Sequence, residues 1–319
     1  MKRQRSLDLD AKEQDMETIL GLLFTLLWSS AAIAIKFGLH STTPLALASI
    51  RFILAGALMM IFVYGISRKY PLPTRKQFGP LIVLGLLNTT IYIGATLWSL
   101  SYVPAGLFNL FVAVNPFLVA FLSYMWLKRK ISIKEWTGMS VAAAGLFIAV
   151  WPAFASAEGG LIGFLLLGVG MASMALGSVY FKKADLQLPG IFINAWQLSI
   201  GGVVSVPLAY FIEKDRFFLN LDANLIGSMI WLVFVISIGS MLLWFYMLKR
   251  DAVKANNWLF MTPIFGYMLA AVLLHEQITA FDMVATLFVV TGLFLSGNIR
   301  LSPQKLLQAR FHQGSLSRK

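Results

Sequence analysis

The chain has 319 residues, of which 58% are hydrophobic and only 13% charged, with no Cys and a formal net charge of +12. So little charge excludes an ordinary soluble domain, where charged residues make up about a quarter, and the missing Cys excludes a disulfide framework or a thiolate metal site. The basic excess would suggest nucleic acid in a soluble protein, but here the hydropathy pattern accounts for it.

Residues 1–17 are polar and of mixed charge, and their composition predicts a disordered tail. The apolar run from Thr18 continues to Lys36 with no small-residue cleavage site beyond it, so no cleavable signal peptide is expected. Ten apolar runs follow in order, near 18–38, 44–66, 78–100, 104–127, 133–151, 160–181, 190–212, 226–247, 252–274 and 279–299. Each approaches the ~20 residues that a helix needs to cross a bilayer. Turn and charge signals separate them. Pro44 opens the second run, Arg68-Lys69-Tyr70-Pro71-Leu72-Pro73 closes it, and Lys128-Arg129-Lys130 ends the fourth. Trp151-Pro152 and Glu158-Gly159-Gly160 divide the chain into halves.

The basic residues set the orientation. With the N-terminus in the cytoplasm, 22 of the 26 Lys and Arg fall on cytoplasmic pieces and only Lys214 and Arg216 fall outside. Lys36 and Arg51 lie within runs. The net charge thus marks topology beside anionic lipid, and no nucleic-acid partner is expected. The basic tail 300–319 is expected to be frayed and cytoplasmic.

The chain contains one pattern twice. Ala105, Asn109, Pro116, Ile131 and Gly145-Leu146-Phe147 recur, at a constant step, as Ala252, Asn256, Pro263, Ile278 and Gly292-Leu293-Phe294. At a step shorter by one, Lys36 maps onto Lys182, Gly56 onto Gly202 and Arg51 onto Gln197. Such a constant register is an internal duplication. Each copy holds five runs, and five is odd, so the second copy enters the membrane from the opposite side. The expected fold is an all-α integral membrane protein of ten transmembrane helices in two inverted five-helix repeats, 18–151 and 160–299, joined by a linker at 152–159. Secondary transporters are built this way, with the substrate near the midplane between the halves.

These residues resemble the drug/metabolite transporter superfamily, in particular its ten-helix EamA-type branch. The resemblance covers about 18–299. It is carried by Leu27-Trp28-Ser29-Ser30, Ser49-Ile50-Arg51-Phe52, Ala105-Gly106 and Asn115-Pro116 in the first half. In the second half it is carried by Trp196-Gln197, Trp244-Phe245-Tyr246, Thr262-Pro263 and Leu274-His275-Glu276. The family pattern ends the fourth and ninth helices with a glycine-glutamate pair. This chain has Lys128-Arg129 at the first place and His275-Glu276 at the second. The resemblance implies a multi-pass carrier of the inner cell membrane, often an exporter of amino acids or other metabolites.

No glycine-rich loop followed by Lys-Ser/Thr is present, no His or carboxylate cluster has metal-ligand spacing, and no nucleophile-base pair is legible. An enzyme, a metal and a cofactor are therefore not expected. The expected partners are a small-molecule substrate and the lipid bilayer, with the oligomeric state open. Charge within a span is costly and points to function. Arg51 lies about 10 Å into its helix, at 1.5 Å per residue from Pro44. It either binds a substrate carboxylate or phosphate or snorkels to the headgroups. Asn88, Tyr92, Ala95 and Ser99 share one face of the third helix. Asn115-Pro116 and Thr262-Pro263 occupy matching places, where each proline frees a carbonyl, of Val112 and Leu259. Trp28 lies near mid-depth. Arg51, Trp28, Asn88, Tyr92, Asn115 and Thr262 are thus the candidate substrate-binding residues, with Pro116 and Pro263 as hinges. Every Asp and Glu within 18–299 falls in a loop or at the end of a run. The favoured function is a secondary carrier moving an amino acid or related organic anion by alternating access, with export the favoured direction. A drug or cation exporter and a non-transporting membrane scaffold are the alternatives.

Overall fold

The computed structural model describes residues 2–128, 130–155, 160–250 and 258–296. The linker residues 156–159, the repeat positions Ala252 and Asn256, and the tail from 297 lie outside the described residues. Among the described residues helices are the regular elements, joined by short loops, with one isolated bridge between Thr42 and Leu219. Eight helices are long and apolar enough to cross a membrane, and two further apolar helices are shorter.

We number them α1 (Lys2–Leu39), α2 (Pro44–Ser67), α3 (Arg75–Ser99), α4 (Ala105–Leu127), α5 (Ile133–Ala155), α6 (Gly160–Ala184), α7 (Gly190–Glu213), α8 (Ala223–Met247), α9 (Thr262–Leu273) and α10 (Ala280–Leu295). The backbone before Thr18 is helical from Lys2, where composition predicts disorder. That stretch has no Gly or Pro and is rich in Lys, Arg, Gln and Glu, all good helix formers.

Local chemistry sets the helix ends. Pro44 sits in the first turn of α2, where no N–H is needed. Ser132 and Glu135 cap α5 reciprocally, with Ser132 N donating to Glu135 Oε2 at 2.9 Å and Glu135 N to Ser132 Oγ at 3.2 Å. Thr279 and Asp282 repeat this at the start of α10, at the same 2.9 and 3.2 Å. These are duplicated positions, so the capping box was copied with the repeat. Four helices exit through a left-handed residue, namely Arg68, Lys128, Asp185 and His275. Lys128 and His275 are again mates, both at φ 54. They occupy the place where the family pattern has glycine, the residue that adopts this conformation freely.

The packing pairs each half with the other. α2 packs on α7, α4 on α9 and α5 on α10. α3 packs on α6 as α8 packs on α1. The α2–α7 crossing is at the duplicated glycines. A Cβ at Gly56 would come within 2.9 Å of the Ser199 backbone, and one at Gly202 within 2.9 Å of Ile53 N. Without a hydrophobic force between helices in lipid, such close backbone approach supplies the association through packing. Large side chains such as Ile53, Phe62, Phe147, Phe211 and Leu287 point outward and are exposed, which suits a surface whose solvent is hydrocarbon.

Candidate functional site

Three of the described helices depart from α geometry, α2 over Ile61–Ser67 and two others at matching places. α3 widens to a π-helix over Leu86–Ile91 and α8 over Trp231–Ser240. π turns re-aim side chains and are common at functional sites. Here they carry Asn88 and Thr89 on one helix and Ser237 on the other. On α6, Ser173 Oγ donates to the Leu87 carbonyl at 2.7 Å, tying the first wide turn to its neighbour. A Cβ at Gly177 of α6 would run into the Asn88 amide, so only glycine admits Asn88 at that crossing.

Between the halves lies a cavity of about 540 Å³. Arg51, Asn88, Tyr92, Trp28, Pro116 and Gln197 stand on its wall. Arg51 is 4% exposed. Its Nε donates to Ser237 Oγ at 2.9 Å, and its guanidinium lies 5.2 Å from the Phe52 ring centre. Arg51 therefore reaches across to the second half instead of snorkelling to a headgroup. Ser237 continues the network, because its backbone carbonyl accepts from Asn194 Nδ2 at 2.8 Å. Asn194 Oδ1 in turn accepts from Gln197 Nε2 at 3.0 Å. Aromatic rings complete the wall. Trp244 stacks on Phe24 with centres 5.1 Å apart, and Phe24 lies 5.6 Å from Trp28. A fixed cation, polar amides and flat apolar faces suit a small organic molecule with an anionic group.

The cavity extends to the end of the bundle where Glu135, Lys182 and Asp185 lie. The opposite end is closed by carboxylates. Glu213, at the end of α7 and 6% exposed, accepts from Leu45 N and Ala46 N at 2.8 and 3.0 Å. Glu276, after α9, accepts from Ala105 N and Gly106 N at 2.9 and 3.2 Å. Each carboxylate from the second half thus satisfies orphan amides in the first turn of a helix of the first half, at the positive end of its dipole. Loop contacts add to the closure. Ser41 Oγ donates to Asp222 Oδ1 at 2.6 Å, and Thr42 Oγ1 to the Phe218 carbonyl at 2.9 Å. The Ser41 hydroxyl and the Leu225 amide hold the Asp222 carboxyl below its ordinary pKa.

Four of the six substrate-binding candidates, Arg51, Trp28, Asn88 and Tyr92, share the cavity wall with the hinge candidate Pro116. Two do not join them. Asn115 is buried, with Nδ2 donating to the Met171 carbonyl at 3.1 Å, and does not line the cavity. Thr262 is fully buried, donating to the carbonyls of Leu259 at 2.6 Å and Asn109 at 3.0 Å. The Leu259 carbonyl, expected to be freed by Pro263, is therefore occupied. Pro263 itself stands in the first turn of α9, where the helical path changes from the 3₁₀ turn over Leu259–Met261 to α geometry. Pro116 lies inside the continuous α4. Sequence reasoning missed Ser237 and Asn194. The signal available was the position of Asn194 one turn before Gln197.

Comparison with known proteins places this geometry among carriers. Residues 16–151 and 161–298 each match the EamA-like transporter family. The uncharacterized transporter YvbV of Bacillus subtilis (strain 168) is 29% identical over 82% of this chain and 84% of its own length. A probable amino-acid metabolite efflux pump of Escherichia coli (strain K12) is 24% identical over 87% of this chain and 93% of its own. One solved crystal structure, 17% identical, superposes with a TM-score of 0.62 over 88% of this chain and 98% of that one, and shares the fold.

Proposed function

The chain belongs to the EamA-like transporter family, and from that premise we propose that this multi-pass membrane protein is a secondary exporter of amino acids or related organic anions, working by alternating access in the inner membrane. The observation that carries the reading is Arg51 on the wall of the central cavity, buried, with its bonded partner the neutral Ser237. A guanidinium withdrawn from water gains from an incoming carboxylate, although desolvation offsets part of the gain. The acidic lining residues Glu135 and Asp185 lie toward the mouth of the cavity, while Arg51 is the cation at its depth. That distribution favours an anionic over a cationic drug substrate. The printed name of the Escherichia coli relative supports the amino-acid class.

In this reading the ten helices form two inverted repeats, 18–151 and 160–299. Its support is the packing, in which α2–α7, α4–α9 and α5–α10 pair mates and the α3–α6 contact is repeated as α8–α1. The basic asymmetry puts both termini in the cytoplasm. The closed end with Glu213 and Glu276 is then the outer end, and the cavity opens inward.

The test is transport by the purified chain in proteoliposomes, with labelled L-amino acids and organic acids as substrates. Arg51→Gln, which copies the second repeat, should lower uptake of the transported compound roughly ten- to hundredfold, the loss of a charged hydrogen bond. Arg51→Lys should also be impaired, because the planar fork is gone. Wild-type rates in Arg51→Gln would remove the anion reading.

A further inference from the structure

Arg51 and Gln197 are mates in the duplication. They lie on α2 and α7, the helices that cross at the mated Gly56 and Gly202, and both line the central cavity. A symmetric scaffold therefore presents one cationic and one neutral side chain at its two equivalent places.

The hydrogen bonds fix what each can offer. The Ser237 backbone carbonyl can only accept, so the Asn194 amide must turn its Nδ2 toward it, at 2.8 Å. Asn194 Oδ1 then faces Gln197 and can only accept. Gln197 must therefore donate Nε2, at 3.0 Å, which leaves Oε1 as its spare group. Among the described residues Oε1 takes no donor. The orientation of the Gln197 amide is thus set, through one intermediate, by a carbonyl that cannot flip. Arg51 offers the opposite. Its Nε is bonded to Ser237 Oγ, and the other guanidinium nitrogens carry only donors. The same residue, Ser237, anchors both ends of this arrangement.

We propose that Gln197 is a specificity-determining residue which reads a hydrogen-bond donor beside the substrate carboxylate, so that the carrier selects zwitterionic α-amino acids over simple carboxylic acids of the same shape. Asn194 is the positioning residue that aims Gln197. This rests on the reading of Arg51 as the carboxylate site. A desamino acid would satisfy Arg51 but leave Gln197 Oε1 without a partner in a partly dry cavity, and leaving a built polar group unpaired is what makes such sites discriminate.

The experiment uses the full-length chain in detergent and follows Trp fluorescence, since Trp28 and Trp244 line the cavity. L-Phenylalanine and L-leucine are each titrated against their desamino forms, 3-phenylpropanoate and 4-methylpentanoate. Wild type should bind at least one amino acid about tenfold or more tighter than its desamino form. Gln197→Met should erase that preference, weakening amino-acid binding and, with no acceptor left unpaired, binding the desamino forms at least as tightly as wild type, which also certifies that the variant is folded. Arg51→Gln should weaken both members of each pair alike. If Arg51→Gln weakens both but Gln197→Met leaves the ratio intact, this inference fails and the anion reading stands. If Arg51→Gln changes neither, the anion reading fails. Equal wild-type affinity within both pairs, or binding of none of the four probes at millimolar concentration, overturns the assignment of the zwitterionic class.

Discussion

The two ends of the bundle are built from mated segments but carry different chemistry. At the proposed outer end, Glu213 holds the first amides of α2 and Glu276 those of α4. At the other end, the duplication puts Ser67 where Glu213 stands and Arg129 where Glu276 stands. Ser67 is too short, and Arg129 of the wrong sign, to accept from helix amides in the same way. The lesson is that the duplicated backbone scheme carries different single side chains at its two ends, which in the proposed alternating-access cycle set the balance between states. Two closures that would be equal by symmetry are made unequal by two residues, and the side with the carboxylates is the one found shut.

The largest effect should come from removing both clamps. Each joins an ionised carboxylate to two amides, and such bonds are worth about 1.5–3 kcal/mol. In Glu213→Gln/Glu276→Gln, the proposed outer end should open for a much larger share of the time. With Asn88→Cys as the single thiol in this Cys-free chain, labelling by an impermeant maleimide in intact cells should rise more than tenfold. An unchanged rate would break the comparison. A smaller effect should follow from giving the other end one clamp. Ser67→Glu supplies the mate of Glu213, facing the first turn of α7, where Ile191 and Phe192 correspond to Leu45 and Ala46. Labelling of Asn88→Cys in inside-out vesicles should then slow severalfold, and faster labelling would contradict the scheme. The smallest effect tests where the ends are alike. Lys128 and His275 share φ 54, so Lys128→Gly and His275→Gly should each stabilise by about 1 kcal/mol, read as a rise in Tm in detergent. Equal gains sharpen the view that the mated backbone is the constant element.

Much of this was legible beforehand. The apolar runs, the duplication and the family resemblance follow from residues whose meaning is local, and Arg51, Asn88, Tyr92 and Trp28 stood out as polar or bulky groups inside apolar helices. The direction in which a side chain points was harder to read. A helix that is apolar all round gives no face, so Asn115 and Thr262 looked equivalent to Asn88 until their partners Met171 and Asn109 were seen. Ser237 was hidden for another reason. It sits in a π segment, where the 3.6-residue period no longer gives its neighbours. Glu213 and Glu276 read as ordinary loop carboxylates, because their amide partners are 167 and 170 residues away at the nearest.

The wide turns in α3 and α8 are also a mark common to the two halves. A π turn holds one residue more than an α turn. Both copies have it at the matching place, over Leu86–Ile91 and Trp231–Ser240. The π segment over Ile61–Ser67 in α2, by contrast, has no counterpart in α7. The pairs that differ, Arg51 with Gln197 and Glu213 with Ser67, each set a charged residue against a neutral one. What the two halves share is a distortion in the backbone, and what separates them is charge.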